Sequence, residues 1–264
     1  MARGGGGYFG ATRHPWACLV FLLPLLIAYE GGILWLGEKH PEALRTGADT
    51  WLRWGLEAFG LNQLYWLPAL LGLVFLALSW LRRDSQPGDV IGVCAGMAVE
   101  SVVFAVALWG VSRSLGPALD TFGIKLQTRA VERKLTSAPR SDASGGAKNI
   151  AANPVPVSQI ISFVGAGIYE EVLFRLLVFT GLGWLLGMFQ VPTRAALLAA
   201  AAGSAGVFAV AHHVGPYGEA YDGYVFLFRC LAGVYFALLY QFRGFGIAVG
   251  AHACYDVLVG AVVS

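Results

Sequence analysis

Two adjacent glutamates and an arginine lie inside a long apolar stretch of this chain, from about residue 155 to residue 189. A charged side chain in the middle of a membrane costs about 3 kcal/mol or more, so such residues usually face the protein interior and mark a functional site. In a helix, Glu171 and Arg175 are one turn apart and can form an ion pair. Glu170 points about 100° away from Glu171 and has no cation at that spacing. The pattern predicts that Glu171 is structural and that Glu170 is free for chemistry.

Further polar residues occur in two later apolar stretches. Phe208 is followed four residues later by His212, and His252 is followed four residues later by Asp256. A lone histidine in an apolar helix is more often a packing residue, but these histidines follow the glutamate pair in the C-terminal half. Because His252 and Asp256 are one helical turn apart, the carboxylate can orient the imidazole ring or share its proton. We expect these residues to join the glutamates in one site.

The composition places this site in a membrane protein. Of the 264 residues, 57% are hydrophobic and only 13% are charged, which indicates a polytopic helical membrane protein rather than a soluble enzyme. The net charge of +2 is too small to argue for a nucleic-acid partner. The four cysteines form no Cys-x-x-Cys pair, so neither a disulfide framework nor a zinc knuckle is indicated.

Seven apolar stretches predict an all-α fold with seven to eight transmembrane helices. They run from about residues 15 to 36, 61 to 81, 90 to 111, 155 to 189, 194 to 213, 224 to 242 and 247 to 263. An eighth span arises if the fourth stretch divides at its glycines, Gly181, Gly183 and Gly187. Residues 37–60 are amphipathic, which predicts a short helix at the membrane interface.

The long polar connection at residues 113–154 has a basic first half and a low-complexity second half. This composition is typical of a linker, and it divides the chain into two parts. Residues 1–153 are predicted to hold the N-terminal membrane helices and this loop. Residues 154–264 are predicted to form the core that carries the candidate site.

Two further acidic residues lie in the N-terminal spans. Glu30 is expected to be an interfacial carboxylate beside a helix kink, with a catalytic role as the less favoured interpretation. Glu100 lies in the middle of the third apolar stretch. We expect it to pair with Arg229 or Arg175, with an additional polar group in the site as the alternative.

Three motifs follow one another in the C-terminal part: Glu170-Glu171-Val-Leu-Phe-Arg175, Phe208-Ala-Val-Ala-His212 and His252-Ala-Cys-Tyr-Asp256. In this order they resemble the CAAX protease and bacteriocin-processing family of intramembrane endopeptidases, which includes the type II CAAX prenyl endopeptidases. The resemblance covers about Pro154 to Ser264. Leu176 stands where the family often has glycine, and Asp256 stands where its better understood members have asparagine.

The resemblance implies an intramembrane endopeptidase in which Glu170 is the general base and His212 holds and polarises the water. His252 would donate to the oxyanion with support from Asp256. An ionised aspartate cannot donate as an amide can, so the donor is His252 or a protonated Asp256. The residues expected to support the site are Glu171, Arg175 and Phe208.

The resemblance is compatible with an enzyme that uses a metal ion and with one that does not. Glu170, His212 and His252 are the ligand types of a catalytic zinc site, but the chain contains no His-Glu-x-x-His sequence. A metal-independent enzyme is the favoured prediction, with no cofactor, and a zinc enzyme that uses these three ligands is the alternative.

The expected partners are a membrane-associated protein or peptide substrate and the lipid bilayer. The expected location is a bacterial or archaeal plasma membrane, with the chain as an integral multi-pass protein. A function of another class is a non-proteolytic transporter or scaffold in which the same charges form a buried relay. The concentration of polar groups in the last part of the chain favours one compact site.

Overall fold

The computed structural model describes residues 7–37, 44–124, 126, 156–215 and 218–263. Within these residues every regular element is a helix. In chain order the main helices are α1 (Tyr8–Ala11), α2 (Pro15–Gly37), α3 (Gly47–Glu57), α4 (Trp66–Leu81), α5 (Val90–Thr121), α6 (Val157–Met188), α7 (Thr193–Ala211), α8 (Gly223–Arg243) and α9 (Phe245–Val263).

Each of the seven predicted apolar stretches contains a helix, and the prediction of a polytopic all-α membrane protein is confirmed. Helices α2, α5, α6, α7 and α8 are long and apolar enough to cross a membrane. Helix α4 and the Phe245–Ala261 part of α9 are shorter apolar helices. The interfacial segment predicted at residues 37–60 contains the shorter helix α3.

The fourth stretch does not divide, so an eighth span does not arise within it. Its three glycines continue α6, and a Cβ at Gly181, Gly183 or Gly187 would meet no atom within 4 Å. These glycines therefore face outward rather than a tightly packed neighbour. A helix in lipid keeps its backbone hydrogen bonds because no water replaces them, so glycine alone does not break it.

Helix α5 continues about ten residues beyond its predicted end, to Thr121. The apolar stretch ends near Val111, but the backbone stays helical through the polar residues that follow. The rest of the predicted polar connection lies outside the described residues, apart from residues 122–124 and 126. The predicted division of the chain at residue 153 stays a prediction.

Helix α9 lies against α5, α6 and α8, while α2 lies against α4 and α6. The first turns of α9 are almost completely buried, with exposures of 0–3% at Phe245, Ile247, Ala248, Val249 and Ala251. Helices α6 and α9 approach so closely that a Cβ on Gly167 would lie 2.8 Å from the backbone nitrogen of Ala253. This contact brings the glutamate pair of α6 beside His252 of α9.

Helix α6 changes its winding next to the glutamate pair. It is a regular α-helix over Val157–Glu171, a π-helix over Val172–Phe179 and α-helical again from Thr180. The Thr180 hydroxyl donates to the carbonyl of Arg175 over 2.9 Å. Wide π-turns of this kind are frequent at functional sites.

Glu100 pairs with Arg243, not with Arg229 or Arg175. Its two oxygens accept from Arg243 over 2.6 and 2.9 Å. Arg229 instead binds Glu219 over 2.8 Å. The expectation of a structural pair is therefore right, but both suggested partners are wrong. Helical spacing identifies partners within a helix, whereas Glu100 and Arg243 lie on different helices.

Glu100→Gln is expected to lower stability without affecting the candidate site. The substitution leaves the Arg243 guanidinium without its carboxylate, and hydrogen bonds to charged groups contribute about 1.5–3 kcal/mol. Melting in detergent should therefore occur at a lower temperature, while activity per folded molecule stays at the level of the parent. Normal melting combined with lost activity would place Glu100 in the site instead.

Candidate active site

The structure brings all seven predicted site residues together where α6, α9 and the end of α7 meet. The cluster contains Glu170, Glu171, Arg175, Phe208, His212, His252 and Asp256. The π-helical part of α6 carries Arg175, and α9 carries His252 and Asp256. Three motifs that are far apart in the sequence thus share one contact region.

Glu171 is buried between two partners. Its Oε2 lies 3.1 Å from Nε of Arg175, a close charge contact without the alignment of a hydrogen bond. Its Oε1 accepts from Nδ1 of His252 over 2.7 Å. The predicted ion pair with Arg175 is present, and the bond to His252 is an additional contact that helical spacing did not indicate.

Arg175 is 1% exposed, and aromatic rings surround its guanidinium group. The guanidinium carbon lies 4.9 Å from the ring centre of Phe208 and 5.4 Å from that of Phe236. Nη2 donates to the carbonyl of Gly233 over 3.2 Å. The electron-rich faces of such rings attract a cation, so the arginine is held by more than its carboxylate.

Glu170 has a different environment from its neighbour. Its side chain is 15% exposed, and Oε2 lies 3.7 Å from Nε2 of His252 and 4.0 Å from Nε2 of His212. Both separations exceed a direct hydrogen bond. Within the part of the chain that the structure describes, no arginine forms an ion pair with Glu170. The carboxylate therefore faces two imidazole rings.

His212 is held in one orientation at the end of α7. Its Nδ1 lies 2.8 Å from the carbonyl oxygen of Phe208, and a carbonyl only accepts, so Nδ1 carries a hydrogen. In the neutral ring, Nε2 is then an acceptor that faces Glu170. The Phe208 ring packs edge-on against the imidazole, with 4.8 Å between ring centres.

His252 is fixed from three sides. Its ring stacks on Phe236 with 4.5 Å between centres, and its Nδ1 contacts Glu171. Its Nε2 lies 3.7 Å from Oδ2 of Asp256 and 3.7 Å from Glu170. Both ring nitrogens thus face carboxylate oxygens, which suits a ring that donates from both positions.

Two residues on α8 contact the site residues and were not predicted. Phe236 stacks on His252 and lies over Arg175, and Gly233 accepts from Arg175. A Cβ on Gly233 would lie 2.8 Å from Ala205, so only glycine permits this approach of α7 and α8. A glycine in an apolar helix indicates that another helix can pack closely there, but it does not identify that helix. Phe236 is one of several aromatic residues in α8, so nothing in the sequence distinguished it.

A cleft of about 150 Å³ opens beside the cluster. Glu170 and Phe174 line it from α6, and Ala211, His212 and Val214 line it from the end of α7. Its third wall comes from α3 and consists of Gly47, Ala48 and Trp51. The amphipathic pattern predicted this helix but not its place at the site.

The alternative zinc site would use Glu170, His212 and His252, in which Oε2 of Glu170 lies 3.7 Å from Nε2 of His252 and 4.0 Å from Nε2 of His212. Among the described residues, no group of three or more His, Cys, Asp or Glu side chains is arranged to hold a metal. Nδ1 of His252 is bonded to Glu171, an arrangement that also occurs in histidines that bind a metal through Nε2. No step of the mechanism below uses a metal.

The family comparison covers this region of the chain. Residues 152–258 match the family described as Type II CAAX prenyl endopeptidase Rce1-like, and all seven site residues lie within the match. No curated protein and no solved structure matches the chain. Together with the multi-pass helical fold, the match supports membership of the CAAX protease and bacteriocin-processing family for the part of the chain that carries the site.

Proposed function

We propose that the protein is a glutamate-dependent intramembrane endopeptidase that hydrolyses a peptide bond with water activated by Glu170. The observation that carries this proposal is the different surroundings of the two glutamates. Glu171 is bound to Arg175 and His252, whereas Glu170 faces two imidazoles and lines the cleft. A general base needs access to water and substrate, and Glu170 has that access.

In this mechanism a water molecule is held between Glu170 and His212. The two groups are 4.0 Å apart, a separation that one bridging water can span. Glu170 takes a proton from the water as its oxygen attacks the substrate carbonyl carbon. His212 positions that water through Nε2, since its Nδ1 is held by the Phe208 carbonyl.

His252 stabilises the negative charge that develops on the carbonyl oxygen. The bond from Nδ1 to Glu171 leaves Nε2 directed at the reaction region. A donor fixed before the reaction stabilises an oxyanion without reorganisation. Asp256 lies one turn further along α9 and supports the imidazole in its donating form. Protonated Glu170 then returns its proton to the leaving amine.

A non-proteolytic relay is the competing function. A relay across the membrane needs polar groups distributed along a path. Here the seven site residues lie in one cluster, and two of them, Glu170 and His212, line the cleft beside α3. An experiment separates the two functions: purified protein in liposomes should produce new peptide termini from a membrane peptide. Ion movement that depends on a ligand, with no cleaved product, would favour the relay instead.

The candidate substrate classes are prenylated CAAX ends, bacteriocin leaders and C-terminal sorting tails. A bacterial or archaeal plasma membrane stays the proposed location. The termini of membrane proteins should be compared in cells with and without this protein. New or missing termini that depend on it would identify the substrate directly.

Activity is expected to survive removal of metal ions. Glu170 supplies the base and His252 the oxyanion donor, so no Lewis acid is required in this mechanism. Exhaustive chelation should leave the turnover of the purified protein unchanged, and the protein should carry substoichiometric zinc. Loss of activity that returns only with added zinc would replace this mechanism with a metal-dependent one.

A further inference from the structure

Helix α3 forms one wall of the proposed site although it precedes the site residues by more than a hundred positions. Gly47, Ala48 and Trp51 lie on one face of this helix, because residues three or four apart share a face. They line the same cleft as Glu170 and His212. A substrate side chain that enters this cleft therefore contacts α3.

Four charged residues hold α3 in place, and we call them the anchor cluster: Glu30, Arg45, Asp49 and Arg53. Asp49 pairs with Arg45 over 2.6 Å and with Arg53 over 2.7 Å. Glu30 on α2 pairs with Arg45 over 3.2 Å and with Arg53 over 2.9 Å. Glu30 thus belongs to a structural charge network, in agreement with a non-catalytic role. The two cations and two anions balance.

The anchor cluster also connects α3 to the helix of the proposed general base. Tyr169 donates to Glu30 over 2.5 Å, and Tyr169 directly precedes Glu170. Tyr29 on α2 donates to Asp49 over 2.9 Å. Burial alone would lower the pKa of Arg45, but the Asp49 and Glu30 carboxylates hold that pKa above its ordinary value. Arg45 therefore stays charged although it is buried, and the ion pairs of the anchor cluster hold α3 against α2 beside the site.

The size and lining of the cleft limit what it accepts. A cavity of about 150 Å³ holds a group of roughly the size of benzene, which is one side chain. Gly47 and Ala48 bring little or no side chain to the lining, whereas Trp51 brings a large aromatic ring. The remaining lining is apolar apart from Glu170 and His212.

We propose that the face of α3 formed by Gly47, Ala48 and Trp51 is the selectivity wall of the site. It contacts the substrate side chain next to the scissile bond and sets the largest apolar side chain that is cleaved. This proposal rests on the endopeptidase function. It assigns a specificity role to residues outside the three motifs of the C-terminal part.

Trp51→Ala tests the wall by enlarging the cleft. The full-length protein in liposomes is given synthetic peptides with an apolar membrane anchor and several randomised positions. Mass spectrometry then identifies the residues that flank each cut. Compared with cleavage beside alanine in the substrate, cleavage beside large aromatic residues should increase by roughly tenfold at one position in Trp51→Ala. Pocket size discriminates between side chains on this scale. Ala48→Val should shift the preference toward smaller residues.

Trp54→Ala is the matched control. It removes the same side chain from the same helix, but Trp54 is 51% exposed and does not line the cleft. Its residue preference should equal that of the parent. Trp51→Phe keeps an aromatic ring on the wall and should show an intermediate preference even if Trp51→Ala folds poorly.

The proposal is overturned if the variants at Trp51 and Ala48 slow all peptides by one common factor without changing the preference. Failure of the endopeptidase function looks different: the parent cuts no peptide, so the wall has no reaction to select for and the proposal fails with it. If Glu170→Gln cuts as the parent does, the role of Glu170 as the general base fails, and the residue preference of the Trp51 variants still tests the wall. A changed preference in Trp51→Phe with an unchanged Trp54→Ala supports it.

Discussion

Glu170→Gln should remove peptidase activity and leave the protein folded. Glutamine keeps the size of the side chain but cannot take a proton from water. A general base contributes about 10²–10⁴-fold to the rate, so turnover should fall by at least about 100-fold. Glu170 has no ion-pair partner among the arginines of the described residues, so the melting temperature of the variant should stay near that of the parent or rise. Rates and melting curves of the purified variant measure both effects.

His212→Ala should likewise remove activity without unfolding the protein, because the water then loses its second contact. Glu100→Gln is the control for both variants. It neutralises another glutamate in an apolar helix, but its partner is Arg243, outside the site. We expect lower stability with retained activity there, the reverse of the result at Glu170. Near-normal turnover by Glu170→Gln or His212→Ala would disprove the proposed roles.

The helices could be predicted from the sequence because length and hydrophobicity are sufficient in a membrane. Backbone groups in lipid must bond within their own segment, so each apolar stretch becomes a helix. The end of α5 was missed because the helix outlasts its apolar stretch. Polar residues such as those after Val111 do not stop a helix by themselves.

The residues that cluster at the candidate site could also be predicted from the sequence, but the contacts between them could not. Spacing predicted the pair of Glu171 and Arg175, since both lie on one helix. The bond from His252 to Glu171 joins two helices, and no period within either helix encodes it. Glu100 illustrates the same limit, because several arginines were suitable partners and only the packing of α5 against α8 selects Arg243.

The place of α3 is the clearest case of information that arises only from packing. Its amphipathic pattern predicted a helix at an interface, and its charged residues suited a solvated face. In the fold, Arg45 and Asp49 are buried and bind each other and α2 instead. A charge pattern does not distinguish a solvated face from a buried network.

Arg175→Ala should destabilise the protein strongly. It leaves Glu171, which is completely buried, with His252 as its remaining side-chain partner among the described residues. Removing one partner of a buried ion pair costs about 3–5 kcal/mol. The melting temperature and the yield in detergent should fall, and activity should fall as well, because Glu171 orients His252.

Arg175→Met separates charge from volume, and the joint variant Glu171→Gln with Arg175→Met tests the pair itself. Methionine fills much of the space of the arginine, but Arg175→Met should still melt below the parent because Glu171 lacks its arginine. The joint variant should melt above both single variants at Arg175, since neither charge is left unmatched and the glutamine carbonyl still accepts from His252. If the joint variant is no more stable than Arg175→Met, charge pairing does not account for the loss. If Arg175→Ala melts like the parent, or Glu170→Gln is the more damaged protein, the division into a structural and a chemical glutamate is wrong.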